Sequence, residues 1–409
     1  MGGYITPMSG PLVGKRVLDL TRVVAGPWAT QLLADLGAEV IKVERPRTGD
    51  ECRGFGPPFV NSRSGATPQS VYFASTNRGK RSITIDIANP AGQSLVRELA
   101  EVSDVFVENY KVGKLTELGL DYANLAEKNR GLVYCSITGF GQTGPHRFRP
   151  GYDILIQAMG GFMSITGEPD REPMKSGVAI ADILTALYAS NAIVAALCER
   201  AESGLGQYID LSLLDVQIAA LANQAANFLT MGVASQRRGN AHESIVPYQS
   251  FKTRDGSMIV GVANDAQFIR FAKIVGLPEM ASDVRFRTNA ERVRNRAELL
   301  PAISERLLQR TTSEWCADFD REQIPAGPVN TIGEVFDEPQ VKARDLTVEF
   351  PAGIYEARRV VGNPIRYSRT PVSYELPPPD LGQDTDYVLS NVLHKDREAI
   401  QKLHNENVV

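Results

Sequence analysis

The sequence predicts an α/β protein with a Rossmann-like large domain and a small α+β domain. Short apolar runs of β-strand character alternate with helical patterns through the first half of the chain, which is typical of a parallel sheet covered by helices. The composition becomes polar near residue 235, and a second set of strands and helices follows. With 409 residues, the chain is too long for one ordinary hydrophobic core.

The strands of the large domain are predicted from runs rich in Val, Ile and aromatic residues. They are expected at residues 15–20, 39–43, 82–86, 105–107, 132–136 and 206–212. Helical patterns lie between them at 29–36, 91–102 and 113–128. We therefore assign residues 1–212 to the N-terminal part of the large domain.

A long apolar segment, 213–231, predicts a linker helix over residues 213–234. The small domain is predicted over 235–325, with strands near 248–252 and 257–263 and amphipathic helices at 266–275 and 296–308. Residues 326–409 are assigned to a return linker and the C-terminal part of the large domain. The three consecutive prolines at 377–379 predict a surface arm.

Composition argues against several classes of partner. The net charge is −4, whereas a nucleic-acid binder needs a basic surface. The four cysteines are scattered, and the four histidines form no HExxH pattern, so no metal site is expected and the thiols suggest a reducing, cytoplasmic compartment. No apolar stretch is judged long enough to span a bilayer, so no membrane partner is expected.

Asp182 is the strongest candidate for chemistry in the chain. It lies where a strand-like apolar run turns into an Ala-rich helix. An unperturbed aspartate has a pKa of roughly 3.9, so the carboxylate would be ionised at neutral pH, and the positive end of a helix dipole would favour that anion. Such a carboxylate can attack an activated acyl group. On local sequence alone, the interpretation of Asp182 as the N-cap of the helix is favoured.

The first βαβ unit superficially indicates dinucleotide binding. Its second strand ends in Glu44, where a dinucleotide enzyme carries a ribose-binding acid. The preceding turn, residues 21–27, has one glycine followed by a proline in place of GxGxxG. Binding of NAD or FAD is therefore not expected.

Taken together, the motifs resemble those of the class III CoA-transferases, the family of formyl-CoA transferase and carnitine CoA-transferase. The matching segments occur in order at residues 16–21, 25–27, 37–45, 77–83, 107–109, 136–141, 151–153, 177–182 and 204–207. Further segments resemble the branch of the family that handles succinate and hydroxymethylglutarate, namely 241–242, 244–249, 251–253, 327–330, 338–341 and 377–383.

The resemblance implies a CoA-transferase in which Asp182 is the nucleophile. Such an enzyme would move CoA from an acyl-CoA, succinyl-CoA in this branch, to a dicarboxylate such as glutarate or 3-hydroxy-3-methylglutarate. The family reaction proceeds through aspartyl anhydrides and an aspartyl-CoA thioester, with CoA thioesters as substrates and no permanently bound cofactor. The resemblance also implies a ring-shaped subunit in an interlocked homodimer, in the cytoplasm or, for a eukaryotic chain, the mitochondrial matrix.

The residues that would contact CoA are carried over from the family motifs. They are Val24, Ala25, Arg45, Ile85, Asp86, Asn109, Tyr110, Lys111, Arg149 and Tyr152. The distal carboxylate of a dicarboxylate needs a cation, and arginine suits it through bidentate pairing. Arg22, Arg53, Arg237 and Arg238 are the candidates for this contact, with His242 as a hydrogen-bond partner.

Two other classes remain open at this stage. Related α-methylacyl-CoA racemases pair an aspartate with a histidine, but that position is Tyr152 here, and a tyrosine with a pKa near 10 is a poor base at neutral pH. A non-catalytic CoA-binding protein would bind CoA without turnover.

Overall fold

A six-stranded parallel sheet forms the centre of the large unit in the computed structural model, which describes residues 9–61, 68–350 and 359–409. Its strands are β1 (Arg16–Asp19), β2 (Glu39–Glu44), β3 (Lys80–Thr84), β4 (Val105–Glu108), β5 (Val133–Thr138) and β6 (Tyr208–Ser212). Every neighbouring pair is parallel, in the order β3-β2-β1-β4-β5-β6. This order is that of the doubly wound Rossmann fold, which confirms the predicted α/β class.

Helices cover both faces of this sheet. The longer ones in this part of the chain are α1 (Ala25–Asp35), α2 (Pro90–Glu101), α3 (Asp153–Met159), α4 (Ile180–Ser203), α5 (Leu213–Ala219) and α6 (Asn223–Met231). Shorter helices span Val71–Ala74, Lys114–Glu117, Tyr122–Ala126 and Phe162–Ile165, and a 3-10 turn spans Glu51–Gly54. Two-residue strands Phe59–Val60 and Gln69–Ser70 pair antiparallel.

The second unit contains a three-stranded antiparallel sheet with helices beside it. Its strands are β7 (Tyr248–Lys252), β8 (Ser257–Gly261) and β9 (Ala326–Pro328), and β8 lies in the middle. Its helices are α7 (Asp265–Ile274), Asn289–Arg294, α8 (Arg296–Leu307), α9 (Thr312–Arg321), Ile332–Asp337 and Pro339–Ala343, with a 3-10 turn at Pro278–Ala281. Buried aromatic rings, among them Phe271 and Phe319 at 5.6 Å between centroids, form its core.

The C-terminal segment returns to the large unit. Strands Thr347–Glu349 and Arg359–Val361 pair antiparallel, and helices α10 (Thr385–Asn391) and α11 (Arg397–Asn405) follow. Val388 and Ile400 of these helices are buried in the same apolar core as Leu95 and Leu99 of α2. The opposite face of the sheet forms a second core with α1 and α4.

By its internal contacts, the chain divides into two units. The large unit comprises the described residues within Met1–Phe162, Ser176–Thr230 and Asp345–Val409, and the small unit comprises Met163–Lys175 and Met231–Arg344. These boundaries differ from those assigned from sequence at 163–175 and at 326–344. The first segment joins the small unit because Arg237 donates hydrogen bonds to the carbonyls of Glu168, Pro169 and Arg171.

The linker helix predicted over 213–234 is two helices, and that prediction was wrong. Helix α5 ends at Ala219 and α6 begins at Asn223, because Ala222 adopts a φ of 46° that interrupts the helical path. The helix predicted over 113–128 is likewise two short helices, with Gly119 at a φ of 64° between them. An apolar pattern therefore predicted helical content correctly but did not reveal the breaks.

The proline segment 377–379 is also not the surface arm that we predicted. Pro377, Pro378 and Pro379 are buried. The Pro379 carbonyl accepts hydrogen bonds from Gln69 Nε2 at 2.8 Å and from Arg53 Nη1 at 3.2 Å. Prolines lack an amide N–H, so only the carbonyl of Pro379 needs partners, and these two side chains provide them.

Helix α4 has 24 residues and, by length and composition alone, could cross a membrane. The expectation that no apolar stretch reaches that length was therefore wrong. One such helix is weak evidence for a membrane, because buried core helices share the same length and character. In α4, Ala186, Ala189 and Ile193 are buried with Ala29 and Leu33 of α1 in one core.

Candidate active site

Asp182 lies in the first turn of helix α4. The helix begins at Ile180 and its N-cap residue is Ala179, so Asp182 is the third helical residue and not the cap. The preceding residues, 176–179, are not a strand, so the expected strand-to-helix junction is instead a loop that enters a helix. The carboxylate remains near the positive end of the helix dipole, as expected from sequence.

The ionisation of Asp182 differs from the expectation. Its side chain is partly buried, and burial together with the nearby Asp153 carboxylate raises the pKa of Asp182 to about 7. Both causes disfavour the anion, since burial removes water and a like charge repels. A carboxyl group with a pKa near neutrality is present in both forms at pH 7, and the anion is the form that could act as a nucleophile.

A cavity of about 340 Å³ opens beside Asp182 within the large unit. It brings together most of the residues that sequence reasoning assigned to CoA. Its lining includes Arg22, Val24, Ala25, Asn109, Tyr110, Lys111, Arg149, Tyr152 and Asp182. Arg147 also lines it, which makes this cavity rich in cations.

A second cavity, of about 550 Å³, holds the remaining predicted CoA contacts. Arg45, Ile85 and Asp86 line it, together with Arg47 and Lys114. Three side chains line both cavities, namely Arg22, Glu51 and Tyr110. Clustered arginine and lysine side chains are suited to phosphate groups.

Both cavities lie at the carboxyl edge of the parallel sheet. Arg22 follows β1, Arg45 follows β2, Ile85 follows β3 and Asn109 follows β4. The strand order reverses between β1 and β4, and ligands of open α/β sheets bind at this switch point. Position in the sheet alone therefore places these residues at one site.

The turn between β1 and α1 is held from both sides of this switch point. Asn109 Nδ2 donates to the Arg22 carbonyl at 2.8 Å, and the Arg22 amide donates to Asn109 Oδ1 at 3.0 Å. The amide of Val23 donates to Asp50 Oδ1 at 3.1 Å. Val23 has a φ of 70°, a strained conformation for a β-branched residue. These contacts maintain the strained turn that precedes Val24 and Ala25.

A buried charge network lies beneath this turn, and sequence reasoning missed it. Lys80 Nζ contacts Asp19 Oδ2 at 3.0 Å and Lys42 Nζ contacts Asp50 Oδ2 at 3.1 Å, with all four side chains buried. Burial raises the pKa of the Asp19 carboxyl, but Lys80, Lys42 and neighbouring hydroxyls outweigh it and lower that pKa to about 2. The available signal was Lys42 between Ile41 and Val43, because a central parallel strand is normally apolar throughout.

Arg22, His242 and Arg53, three of the residues considered for the distal carboxylate, have different environments. Arg22 lines both cavities, pairs with Glu51 at 2.6 Å and lies 5.0 Å from the Tyr110 ring centroid. His242 belongs to the small unit, where its Nδ1 accepts from the Ser244 amide at 3.0 Å, whereas both cavities are lined by large-unit residues.

Arg53 has a structural environment that does not fit the substrate contact predicted for it. Its Nε and Nη2 donate to the two oxygens of Glu44, each at 2.7 Å, and its guanidinium stacks 3.7 Å from the Phe73 ring centroid. This bidentate pairing already satisfies the fork that a substrate carboxylate would need. Among the described residues, no group of three or more His, Cys, Asp or Glu side chains could hold a metal ion.

The fold and site define an α/β protein with a partly buried carboxylate, that of Asp182, beside a cation-rich groove suited to phosphate groups. The sequence profile described as CoA-transferase family III matches residues 12–385. The chain belongs to this family and is a transferase enzyme, as its resemblance implied.

Close relatives carry specific names. Succinyl-CoA:glutarate CoA-transferase of Mus musculus is 47% identical over 98% of this chain and 90% of that protein. Succinate–glutarate CoA-transferase of Agrobacterium fabrum is 49% identical over 95% of this chain and 97% of that protein. Among solved structures, a CAIB/BAIF family protein from Brucella suis is 46% identical, with a TM-score of 0.84 over 94% of this chain and all of that chain.

Proposed function

We propose that this enzyme transfers CoA from succinyl-CoA to glutarate. The observation that carries the proposal is the Asp182 carboxylate in a cavity shared with Val24, Asn109 and Tyr152. The names of the relatives at 47% and 49% identity support this donor and acceptor.

The proposed reaction begins with attack of the Asp182 carboxylate on the thioester carbonyl of succinyl-CoA. The CoA thiolate leaves, and a succinyl–aspartyl anhydride forms. The thiolate then attacks the aspartyl carbonyl of the anhydride, which releases succinate and leaves an aspartyl-CoA thioester. Two covalent steps replace one difficult exchange.

Glutarate completes the cycle by the reverse chemistry. Its carboxylate attacks the aspartyl-CoA thioester, displaces the CoA thiolate and forms a glutaryl–aspartyl anhydride. The thiolate attacks the glutaryl carbonyl, so glutaryl-CoA leaves and the Asp182 carboxylate is regenerated. One thioester is broken and one of similar energy is formed, which means that the exchange needs no external energy source.

We also propose a second acceptor, an oligomeric state and a cellular location for this enzyme. We infer that 3-hydroxy-3-methylglutarate is a second acceptor, because it shares the five-carbon dicarboxylate backbone. A ring-shaped, interlocked homodimer is supported by exposed apolar side chains, such as Phe228 at 51% and Leu229 at 82% exposure. The four cysteines, all in the described part of the chain, are free thiols, which supports a cytoplasmic location.

Mass spectrometry of CoA products tests the proposed reaction directly. The enzyme is incubated with succinyl-CoA and, separately, glutarate, 3-hydroxy-3-methylglutarate, malate or oxalate. We expect glutaryl-CoA to form fastest. Absence of any new acyl-CoA would contradict the proposal. Deuterium exchange of a 2-methylacyl-CoA would then indicate a racemase, and CoA binding without turnover would indicate a binding protein.

We expect different phenotypes when Arg22 and Arg53 are each replaced by glutamine. The Arg22 variant should be impaired in KM for glutarate, and the Arg53 variant in stability. For Arg22→Gln, we expect KM for glutarate to rise by about 10-fold or more, because a charge-assisted hydrogen bond is worth about 1.5–3 kcal/mol. For Arg53→Gln, we expect a loss of about 3–5 kcal/mol in the free energy of unfolding, since Glu44 would remain buried without its partner. Steady-state kinetics and urea unfolding of both variants separate the two roles, and an unchanged KM in Arg22→Gln would refute its contact with glutarate.

A further inference from the structure

Helix α4, which carries Asp182, begins without a capping side chain at its own N-cap position. That residue is Ala179, whose methyl group cannot accept a hydrogen bond. The first four backbone N–H groups of a helix have no partner within the helix, so partners must come from elsewhere. A side chain of a neighbouring element can supply the cap at this end.

Asp153, the first residue of helix α3, supplies that cap. Its Oδ1 accepts a hydrogen bond from the Ala181 amide at 2.8 Å and lies 3.4 Å from the amide nitrogen of Asp182, which also donates to it. The Asp153 carboxylate thus holds the backbone of the nucleophile itself. This cap is contributed across two helices rather than by the residue that precedes the helix.

Gln157, one turn further along α3, fixes the position of this carboxylate. The Gln157 side chain is fully buried, and its Nε2 donates to Asp153 Oδ2 at 2.6 Å. Its Oε1 accepts from the Ser176 amide at 2.8 Å. Helix α3 therefore fastens both ends of the loop that leads into α4. Asp153 therefore accepts three hydrogen bonds, from Gln157, Ala181 and Asp182.

We propose that Asp153 is a positioning residue for the reaction of Asp182, one that caps α4 from α3 and places a second negative charge beside the nucleophile. This inference rests on the proposed role of Asp182 in CoA transfer. The segment 151–153 belongs to the motifs that indicated the family, yet only Tyr152 of it had been given a role. The signal missed was an aspartate at a helix start next to a helix that lacks its own cap.

The negative charge of Asp153 affects the pKa of Asp182, which a neutral side chain of the same shape would not do. Burial is the main cause of the raised pKa of Asp182, and the Asp153 carboxylate raises that pKa further. The burial of Tyr72 raises the pKa of its phenol, and the charge of Asp182 adds to that effect. The other titratable or charged groups in the lining of the Asp182 cavity are Arg22, Glu51, Tyr110, Lys111, Arg147, Arg149 and Tyr152.

Replacement of Asp153 by asparagine separates charge from shape. The amide oxygen can still accept from the two backbone N–H groups, while the negative charge is lost. We expect the acidic limb of the kcat/KM profile to move to lower pH by about one unit, because a nearby like charge raises a carboxyl pKa by roughly that amount. Asp215→Asn is the matched control, since Asp215 is an exposed carboxylate in the first turn of α5. The acidic limb of the kcat/KM profile of this variant should not move.

A second measurement keeps the test independent of the proposed reaction. The pH dependence of carbodiimide labelling of Asp182, followed by peptide mass spectrometry, reports its protonation without any substrate. A midpoint that falls in Asp153→Asn but not in Asp215→Asn would support the role of Asp153. An unchanged midpoint would overturn it, even in an enzyme with full transferase activity. If no transferase activity is found in the wild type, the labelling midpoint still shows whether Asp153 raises the pKa of Asp182. Asp153→Ser, which can cap without charge, serves if the asparagine variant does not fold.

Discussion

Replacement of Asp182 by asparagine or alanine is expected to abolish CoA transfer, with kcat reduced by about 10⁴-fold or more, as when a covalent nucleophile is removed from other enzymes. Neither side chain can form the anhydride or the aspartyl-CoA thioester. The wild-type enzyme incubated with succinyl-CoA should carry the mass of CoA on the peptide that contains Asp182, and hydroxylamine should remove it. Both variants should lack the adduct, whereas Asp215→Asn should keep it.

The outcome that would contradict this prediction is equally specific. Full transfer by Asp182→Ala would remove the covalent mechanism. Loss of transfer without an adduct in the wild type would point to direct exchange of thiolate between the two acids. Intact CoA binding in the variants, measured by calorimetry, would show that the cavity itself survives the substitution.

The pH dependence of the wild-type enzyme follows from the same carboxyl group. With the pKa of Asp182 at about 7, the reactive anion accumulates as pH rises through neutrality. Since log kcat/KM should rise with unit slope below this pKa and level off above it, a plateau extending down to pH 5 would contradict the assignment.

The carboxyl group of Asp182 also affects the free energy of unfolding. This free energy should fall as pH rises, whereas kcat/KM should rise. The folded protein holds this proton more tightly than the unfolded chain, whose aspartate has a pKa near 3.8. The free energy of unfolding therefore falls as pH rises from about 4 through 7. Asp182→Asn should accordingly be more stable than the wild type at pH 8, with no such gain at pH 4. A stability cost of this kind is common at active sites.

Position in the sheet explains why most of the residues predicted to contact CoA lie close together. Residues such as Arg45 and Asn109 follow strands that periodicity and β-branched composition made recognisable, and parallel strands bring such residues to one edge. Arg53 shows the limit of this reasoning, because its partner Glu44 was itself interpreted only as a strand end. Which arginine pairs with a buried carboxylate and which with an exposed one depends on side-chain packing that a linear pattern does not contain.

The capping of α4 by Asp153 could not be derived from the sequence of α3 or of α4 taken separately. Local rules place a cap at the residue before the helix, and here that residue is alanine. The pKa of Asp182 was missed for the same reason, since burial and a neighbouring carboxylate are tertiary facts. Lys42 was visible as a charge in an apolar strand, whereas Lys80 lies before the strand predicted at 82–86, and their carboxylate partners, Asp50 and Asp19, come from other segments.

Lys80→Met is expected to destabilise the protein by about 3–5 kcal/mol, the usual cost of leaving one partner of a buried ion pair alone. The Lys80 ammonium reaches Asp19 Oδ2 at 3.0 Å, the Pro27 carbonyl at 2.8 Å and Asn77 Oδ1 at 2.8 Å. It therefore joins β1, the first turn of α1 and the start of β3. Methionine preserves the length of the side chain but offers none of these donors.

Lys114→Met provides the control, because Lys114 forms an exposed ion pair with Glu117. Its removal should change the free energy of unfolding by less than about 1 kcal/mol. Urea unfolding at pH 7 compares the two variants. Equal midpoints would show that the buried network contributes no more than a surface pair. In a double-mutant cycle with Asp19→Asn, the two losses should be less than additive, because each substitution removes the same interaction.

The Lys80→Met variant also tests whether the buried charge network supports substrate binding. Asp19 accepts hydrogen bonds from the Thr21 amide at 2.8 Å and from Thr30 Oγ1 at 2.6 Å, so it anchors both ends of the turn that contains the strained Val23. A strained backbone persists only while its surroundings over-determine it. Loss of the Lys80 partner should let this turn relax, so KM for succinyl-CoA should rise at temperatures where Lys80→Met is still folded. An unchanged KM would mean that Asn109 and Asp50 hold the turn without the network beneath it.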